Sequence, residues 1–159
     1  MSGVGRPRGE AVDAAGLTLA LVATRWHAEI TDSLVERALA AAKACGIDAP
    51  LVVRVPGAVE LPVVAAEAAA SHDAVACLGT VIRGGTPHFE YVCDSVTYGL
   101  ARVALDAGKP VGNGVLTCDT LEQARQRCGL DGSSEDKGWE AVVAALETAL
   151  VLRSLRARH

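Results

Sequence analysis

The sequence predicts a three-layer α/β/α sandwich built on a four-stranded parallel sheet. Three observations carry that expectation. Short, almost wholly apolar runs recur along the chain, as strands buried on both faces require. Between them, apolar residues return every three or four positions, the spacing of one helix face. The two kinds of segment alternate, so each strand reaches its parallel neighbour through a right-handed crossover, which places helices on both faces of the sheet.

Residues 1–15 are rich in Gly, Pro and charge and are expected to form a flexible arm, or a strand that orders only against a neighbour; residues 16–159 form one domain. Leu17 to Ala23 is the first strand, and Ile30, Leu34, Ala38, Ala41 and Cys45 mark one face of a helix that stops at Gly46. Leu51 to Val55 is the second strand. Pro56-Gly57 breaks it, and Ala58-Val59-Glu60 leads through Leu61-Pro62 into an alanine-rich helix that runs to about Ala70. Ala74 to Gly79 is the third strand, and Phe89, Val92, Val96, Leu100 and Val103 share a face of the next helix, which ends at Gly108-Lys109-Pro110. Val111 to Leu116 is the fourth. Thr120 and Gln123 suggest a capping box for a short helix that stops at Gly129. After a polar turn, Lys137 opens a last helix, whose basic end at Arg153, Arg156 and Arg158 suits the helix dipole. The order is that of a doubly wound, flavodoxin-like topology, in which ligands bind beyond the carboxyl ends of the strands.

Composition narrows the function. Half of the residues are hydrophobic but only five are aromatic, so the core is made of Val, Leu, Ile and Ala, and small alanine-rich helices leave subunit association as a further source of burial. A net charge of −4 offers nucleic acid no basic field, no apolar run is long enough to span a membrane, and the arginines near the start precede no apolar segment of a signal peptide. A cytoplasmic protein is expected. The five cysteines form no C-x-x-C pair and have no His at ligand spacing, so neither a disulfide nor a metal is expected, and Cys45, Cys77 and Cys93 fall in apolar patterns as small hydrophobes.

The most informative stretch is Gly79 to Val92. A strand end, a Gly84-Gly85 turn and Thr86-Pro87-His88 at a helix start together make an anion cradle: bare backbone admits close approach, and the first N–H groups of the helix carry partial positive charge. Gly85 and Thr86 are the candidate phosphate ligands, and His88 beside them is the candidate proton carrier. Such a turn is often only a loop, so its weight comes from the other strand ends. Trp26 and His27 follow the first strand and Gly57 to Glu60 the second, which brings a flat aromatic and a carboxylate to the same edge. His27 reads equally as a second titratable group or as an exposed loop residue.

These residues also carry a resemblance. Gly79-Thr80-Val81-Ile82-Arg83-Gly84-Gly85-Thr86-Pro87-His88-Phe89, with Gly57-Ala58-Val59-Glu60, Asn113-Gly114-Val115-Leu116-Thr117, Glu122-Gln123-Ala124 with Arg127, and Asp136-Lys137-Gly138, resembles the 6,7-dimethyl-8-ribityllumazine synthase family from about Gly16 to Leu155. The resemblance implies condensation of 5-amino-6-ribitylaminouracil with 3,4-dihydroxy-2-butanone 4-phosphate, without metal or redox cofactor. It implies Trp26 stacked on the pyrimidine, Val81, Ile82 and Asn113 at its edge, and Gly57, Ala58, Val59 and Glu60 on the ribityl chain. Gly85, Thr86 and Arg127 are implied at the phosphate, His88 as the catalytic residue and Lys137 as a further substrate contact. It further implies a homo-oligomer, expected to be a pentamer, with sites between adjacent subunits, Asn113, Arg127 and Lys137 reaching across from one of them. Trp26, His27 and Asn113 stand where Phe, Asn and an aromatic are more frequent in the family. A non-catalytic flavin-binding or shell-forming member of the same fold is the alternative; a phospho-acceptor signalling module is disfavoured because no Asp cluster ends the first strand.

Overall fold

The computed structural model describes residues 3–7 and 9–159. Its strands are β1 (Leu19–Thr24), β2 (Leu51–Val55), β3 (Ala74–Ile82) and β4 (Val111–Cys118), all parallel in the order β2-β1-β3-β4. The helices are α1 (Ala28–Ala44), α2 (Leu61–Ser71), α3 (His88–Ala107), α4 (Leu121–Arg125) and α5 (Lys137–Arg156), with a short 3-10 turn over Ala58–Glu60. This is the three-layer, flavodoxin-like arrangement. Strand order reverses between β1 and β3, so the crevice above that pair is the place for a ligand.

Alternation along the central strands divides the core in two. Leu19, Leu21 and Ala23 of β1 join Ala74, Ala76 and Leu78 of β3 under α1 and α5, whereas Ala20, Val22, Val75 and Cys77 face α2 and α3. Small residues let the layers close. A Cβ on Gly138, in α5, would come 2.2 Å from the Leu34 carbonyl oxygen of α1, and one on Gly112, in β4, would come equally close to the Ala141 carbonyl oxygen.

Several boundaries differ from expectation. β3 does not end at Gly79 but runs on to Ile82, because Gly79 is a point of close approach: a Cβ there would sit 2.7 Å from the Thr24 hydroxyl oxygen of β1. β4 likewise continues past Leu116 to Cys118, β1 starts at Leu19, and α4 stops at Arg125, well short of Gly129. Thr120 caps α4 by accepting from the Gln123 N–H at 3.2 Å, but the Gln123 side chain accepts from the Asp119 N–H, one residue outside a capping box. Pro87, expected in the first turn of α3, is instead its cap and lies just outside.

All five cysteines are free; Cys45, Cys77, Cys118 and Cys128 are buried, while Cys93 is only half-buried. The described part of the arm touches its own chain. Ala14 donates to the Cys45 carbonyl at 2.9 Å, and the Trp139 indole donates to the Gly9 carbonyl at 2.7 Å. Met1, Ser2 and Arg8 of the expected arm lie outside the described residues. No described helix is long and apolar enough to cross a membrane.

Candidate active site

Three strand ends build one cavity of about 440 Å³. After β1 the chain turns sharply through His27, the one non-glycine residue of positive φ among those described (φ 51, ψ 65). Histidine tolerates that left-handed conformation better than β-branched or bulky residues do. The turn is fixed by the Thr31 hydroxyl, which donates to the Trp26 carbonyl at 2.7 Å, and by the His27 carbonyl, which accepts from the Ile30 and Thr31 N–H groups. Trp26 is thereby held out with 66% of its surface exposed, its indole edge against Gly57. A Cβ on Gly57 would lie 3.3 Å from the Trp26 Nε1 and 3.2 Å from Glu60 Oε2, so this close approach favours glycine.

The second wall follows β2. The Gly57 N–H donates to Glu60 Oε2 at 2.9 Å, which folds the carboxylate back over the 3-10 turn and aims it at the cavity that Ala58 and Val59 also line. The third wall is the extension of β3, where Val81 and Ile82 are half-buried, together with His88 from the first turn of α3. The structure therefore gathers Trp26, Gly57, Ala58, Val59, Glu60, Val81, Ile82 and His88 around one space. His27, Thr80 and Val92 line it too. Val92 packs against the core as the apolar spacing of α3 requires and borders the cavity as well, and Thr80 reaches it from within the longer β3.

Gly85 and Thr86 are exposed just before His88, and a Cβ on Gly84 or Gly85 would meet nothing within 4 Å. No side chain caps the start of α3 among the described residues. Bare backbone thus leads into uncapped N–H groups, the requirements of an anion site. Arg83 frames this turn. Its Nε donates to Asp119 Oδ1 at 2.7 Å, its Nη1 pairs with the Glu90 carboxylate, and its guanidinium lies 4.3 Å from the Phe89 ring centroid. The hydrogen bond from Arg83 holds the Glu90 carboxyl below its usual range.

Asn113, Lys137 and Arg127 are elsewhere. Asn113 and Lys137 line a separate concavity of about 600 Å³, roofed by arm residues Arg6 and Pro7 and flanked by Glu140. Asn113 Oδ1 accepts from the Val115 N–H at 3.0 Å. The buried Lys137 ammonium sits 2.8 Å from Glu135 Oε2 and 2.8 Å from Glu140 Oε2, and Arg6 lies 3.1 Å from Glu140. Burial works to raise the Glu135 carboxyl, but the hydrogen bond and charge of Lys137, helped by Arg127 and Arg6, hold it below its ordinary value. Arg127 lines neither space, and its Nη1 donates to the Gln123 carbonyl at 2.8 Å.

Other reactive groups are quiet. Burial pushes the Cys77 thiol up to about 12, which leaves it an inert core residue. His72 closes α2, its Nδ1 3.0 Å from the Ala68 carbonyl oxygen. Among the described residues no group of three or more His, Cys, Asp or Glu side chains is placed to hold a metal ion.

Comparison with known proteins points to one family. The sequence profile of 6,7-dimethyl-8-ribityllumazine synthase matches residues 16–153. The 6,7-dimethyl-8-ribityllumazine synthase of Thermobifida fusca is 67% identical over 156 residues, 98% of this chain and 91% of that protein. That of Frankia casuarinae is 69% identical over 156 residues, 98% of each chain, and that of Mycobacterium leprae 57% identical over the same share of both.

Proposed function

Because the chain belongs to the 6,7-dimethyl-8-ribityllumazine synthase family, we propose how its own residues divide the work of that reaction. The protein condenses 5-amino-6-(D-ribitylamino)uracil with 3,4-dihydroxy-2-butanone 4-phosphate to 6,7-dimethyl-8-ribityllumazine, releasing phosphate and water. It is a transferase of riboflavin biosynthesis.

In our reading Trp26 stacks on the pyrimidine, while backbone groups of Val81 and Ile82 and the Asn113 amide address its edge. Gly57, Ala58, Val59 and Glu60 hold the ribityl chain, with the Glu60 carboxylate already turned toward it by the Gly57 N–H. Gly85 and Thr86 receive the phosphate at the start of α3, and Arg127 adds a charge-assisted fork that Lys could not reproduce. Lys137 stands between two carboxylates, so its surroundings suit the uncharged substrate better than the phosphate. His88 carries protons as the 5-amino group forms an imine, phosphate leaves by elimination and the ring closes. Both substrates are reactive in themselves, and much of the acceleration comes from holding them in register.

One observation carries the rest of the proposal. Asn113, Lys137 and Arg127 lie outside the cavity that holds Trp26 and His88, so a complete site needs both surfaces brought together from adjacent subunits. We propose a homopentamer in the cytoplasm. Tyr91, Tyr98 and Leu105 recur every seven residues along α3 and are all exposed, as is Val63 of α2, which supports an apolar contact between copies.

The test is to mix the purified protein with the two substrates and follow the fluorescent lumazine, beside Arg127→Ala and His88→Ala. Enzyme-dependent product is expected, with Arg127→Ala needing far more butanone phosphate and His88→Ala slower by on the order of 10²-fold or less. A folded protein that gives no rate above the uncatalysed background would sink the proposal in favour of a non-catalytic binder.

A further inference from the structure

We infer that Arg83 is the positioning residue for the phosphate end of the site, an inference that rests on the synthase reading above. The stretch from Gly84 to Pro87 has two bare glycines, and a Cβ at either would meet only open space, so the turn has few side-chain contacts of its own to fix it. Arg83 closes it from outside. The residue at the end of β3 reaches across the whole turn to Phe89 and Glu90 in the first turn of α3, pairing with one and stacking on the other. A third contact, to Asp119, ties both to the turn beyond β4, and the Arg83 N–H donates to the carbonyl of Cys118, the last residue of β4, at 2.9 Å.

Two alternatives to a positioning role fit less well. Arg83, Glu90 and Asp119 are each at least two-fifths exposed, and exposed ion pairs contribute little to stability. Nor is the guanidinium an unused cation for the phosphate: its two carboxylate partners leave the trio net negative. What remains is geometry. A planar group that binds one carboxylate through Nε, another through Nη1 and lies over a ring fixes three elements relative to one another, and with them the spacing between the Gly85-Thr86 backbone and His88.

The experiment compares wild type, Arg83→Met and Arg83→Lys in the lumazine assay, reading KM for each substrate, inhibition by inorganic phosphate, melting temperature and assembly. Arg83→Met should raise KM for the butanone phosphate and the inhibition constant for inorganic phosphate together, by about tenfold, within the range that small misplacements cost. KM for the aminouracil should stay within about twofold, since Trp26 and Glu60 are held by other bonds. Arg83→Lys should recover little, because an ammonium cannot stack and fork at once. Unchanged phosphate-end constants in Arg83→Met, or full recovery in Arg83→Lys, would overturn the inference, as would equal losses for both substrates alongside a lowered melting temperature. If Arg83→Met does not fold, Asp119→Asn, which removes a single strut, should give a smaller rise of the same selectivity, and no rise overturns it. A wild type that forms no lumazine refutes the synthase reading itself; an active wild type beside an unaltered Arg83→Met refutes this inference alone.

Discussion

The two helical layers of this protein are built to different ends. On one side of the sheet, α1 and α5 press together with Leu34, Val142 and Leu146 buried, closely enough that Gly138 rests on the Leu34 backbone. On the other, the twenty-residue α3 buries only Val96, Leu100 and Val103, and turns Tyr91, Tyr98 and Leu105 to the outside. The first layer finds most of its packing within one chain, though Val151 and Leu155 near the end of α5 stay exposed. The second leaves apolar surface exposed, the face proposed above to meet another copy, and it is the layer that carries His88. Tight packing and the His88 cavity thus fall on opposite faces of the sheet, while Lys137 opens α5 on the packed side.

That contrast can be broken most severely at Gly138. A Cβ 2.2 Å from a backbone oxygen cannot be relieved by a rotamer change, so Gly138→Ala should cost about 3 kcal/mol or more in urea unfolding, well beyond what helix propensity would return. A loss under about 1 kcal/mol would mean that the two helices part easily. The α3 face should behave in the opposite way. Leu105→Asp and Tyr98→Asp should leave the far-ultraviolet spectrum intact while sedimentation shifts to smaller species and lumazine formation falls with it. Native assembly in both variants would show that this face has no partner.

Smaller effects sharpen the picture at the Lys137 cluster. The folded-state Glu135 carboxyl titrates below its ordinary 4.5, so its contribution to stability is complete above that value and is lost as the pH falls through the folded one. Melting temperature followed down from neutral pH should therefore decline less steeply on the acid side in Glu135→Gln, from a lower starting point, and an unchanged slope would dissociate Glu135 from acid sensitivity. The smallest effect belongs to His27. Replacement by Ala in a left-handed conformation should cost under about 1 kcal/mol, and replacement by Asn less still, as read from thermal unfolding.

Much of this was legible in the chain, and the rest was hidden for physical reasons. β2 is placed correctly because Pro56-Gly57 punctuates the chain locally, and Thr86-Pro87-His88 marks the opening of α3 to within a residue. Gly79 misled because a glycine in a strand signals either a stop or a close approach, and only the packing of Thr24 distinguishes the two. The cavity residues could be anticipated because strand ends in this topology converge. Arg83 reads from the chain as an ion-pair partner shaping the loop, but its partners and the Glu135–Lys137–Glu140 cluster do not, since Arg83 and Asp119 are 36 residues apart in sequence and no periodicity relates them. That Asn113 and Lys137 line a different concavity from Trp26 and His88 is likewise invisible to periodicity, and only the family resemblance set those residues apart.

The most direct test of the account is subunit complementation. His88→Ala and Arg127→Ala are purified separately, shown to be poorly active, then dissociated, mixed in equal amounts and reassembled. If each site takes His88 from one subunit and Arg127 from its neighbour, random mixing makes about a quarter of the sites intact at a head-to-tail interface. Activity should recover to about that fraction of reassembled wild type. Activity no greater than the average of the two variants alone would contradict the account, and would mean that both residues serve the same site from within one chain.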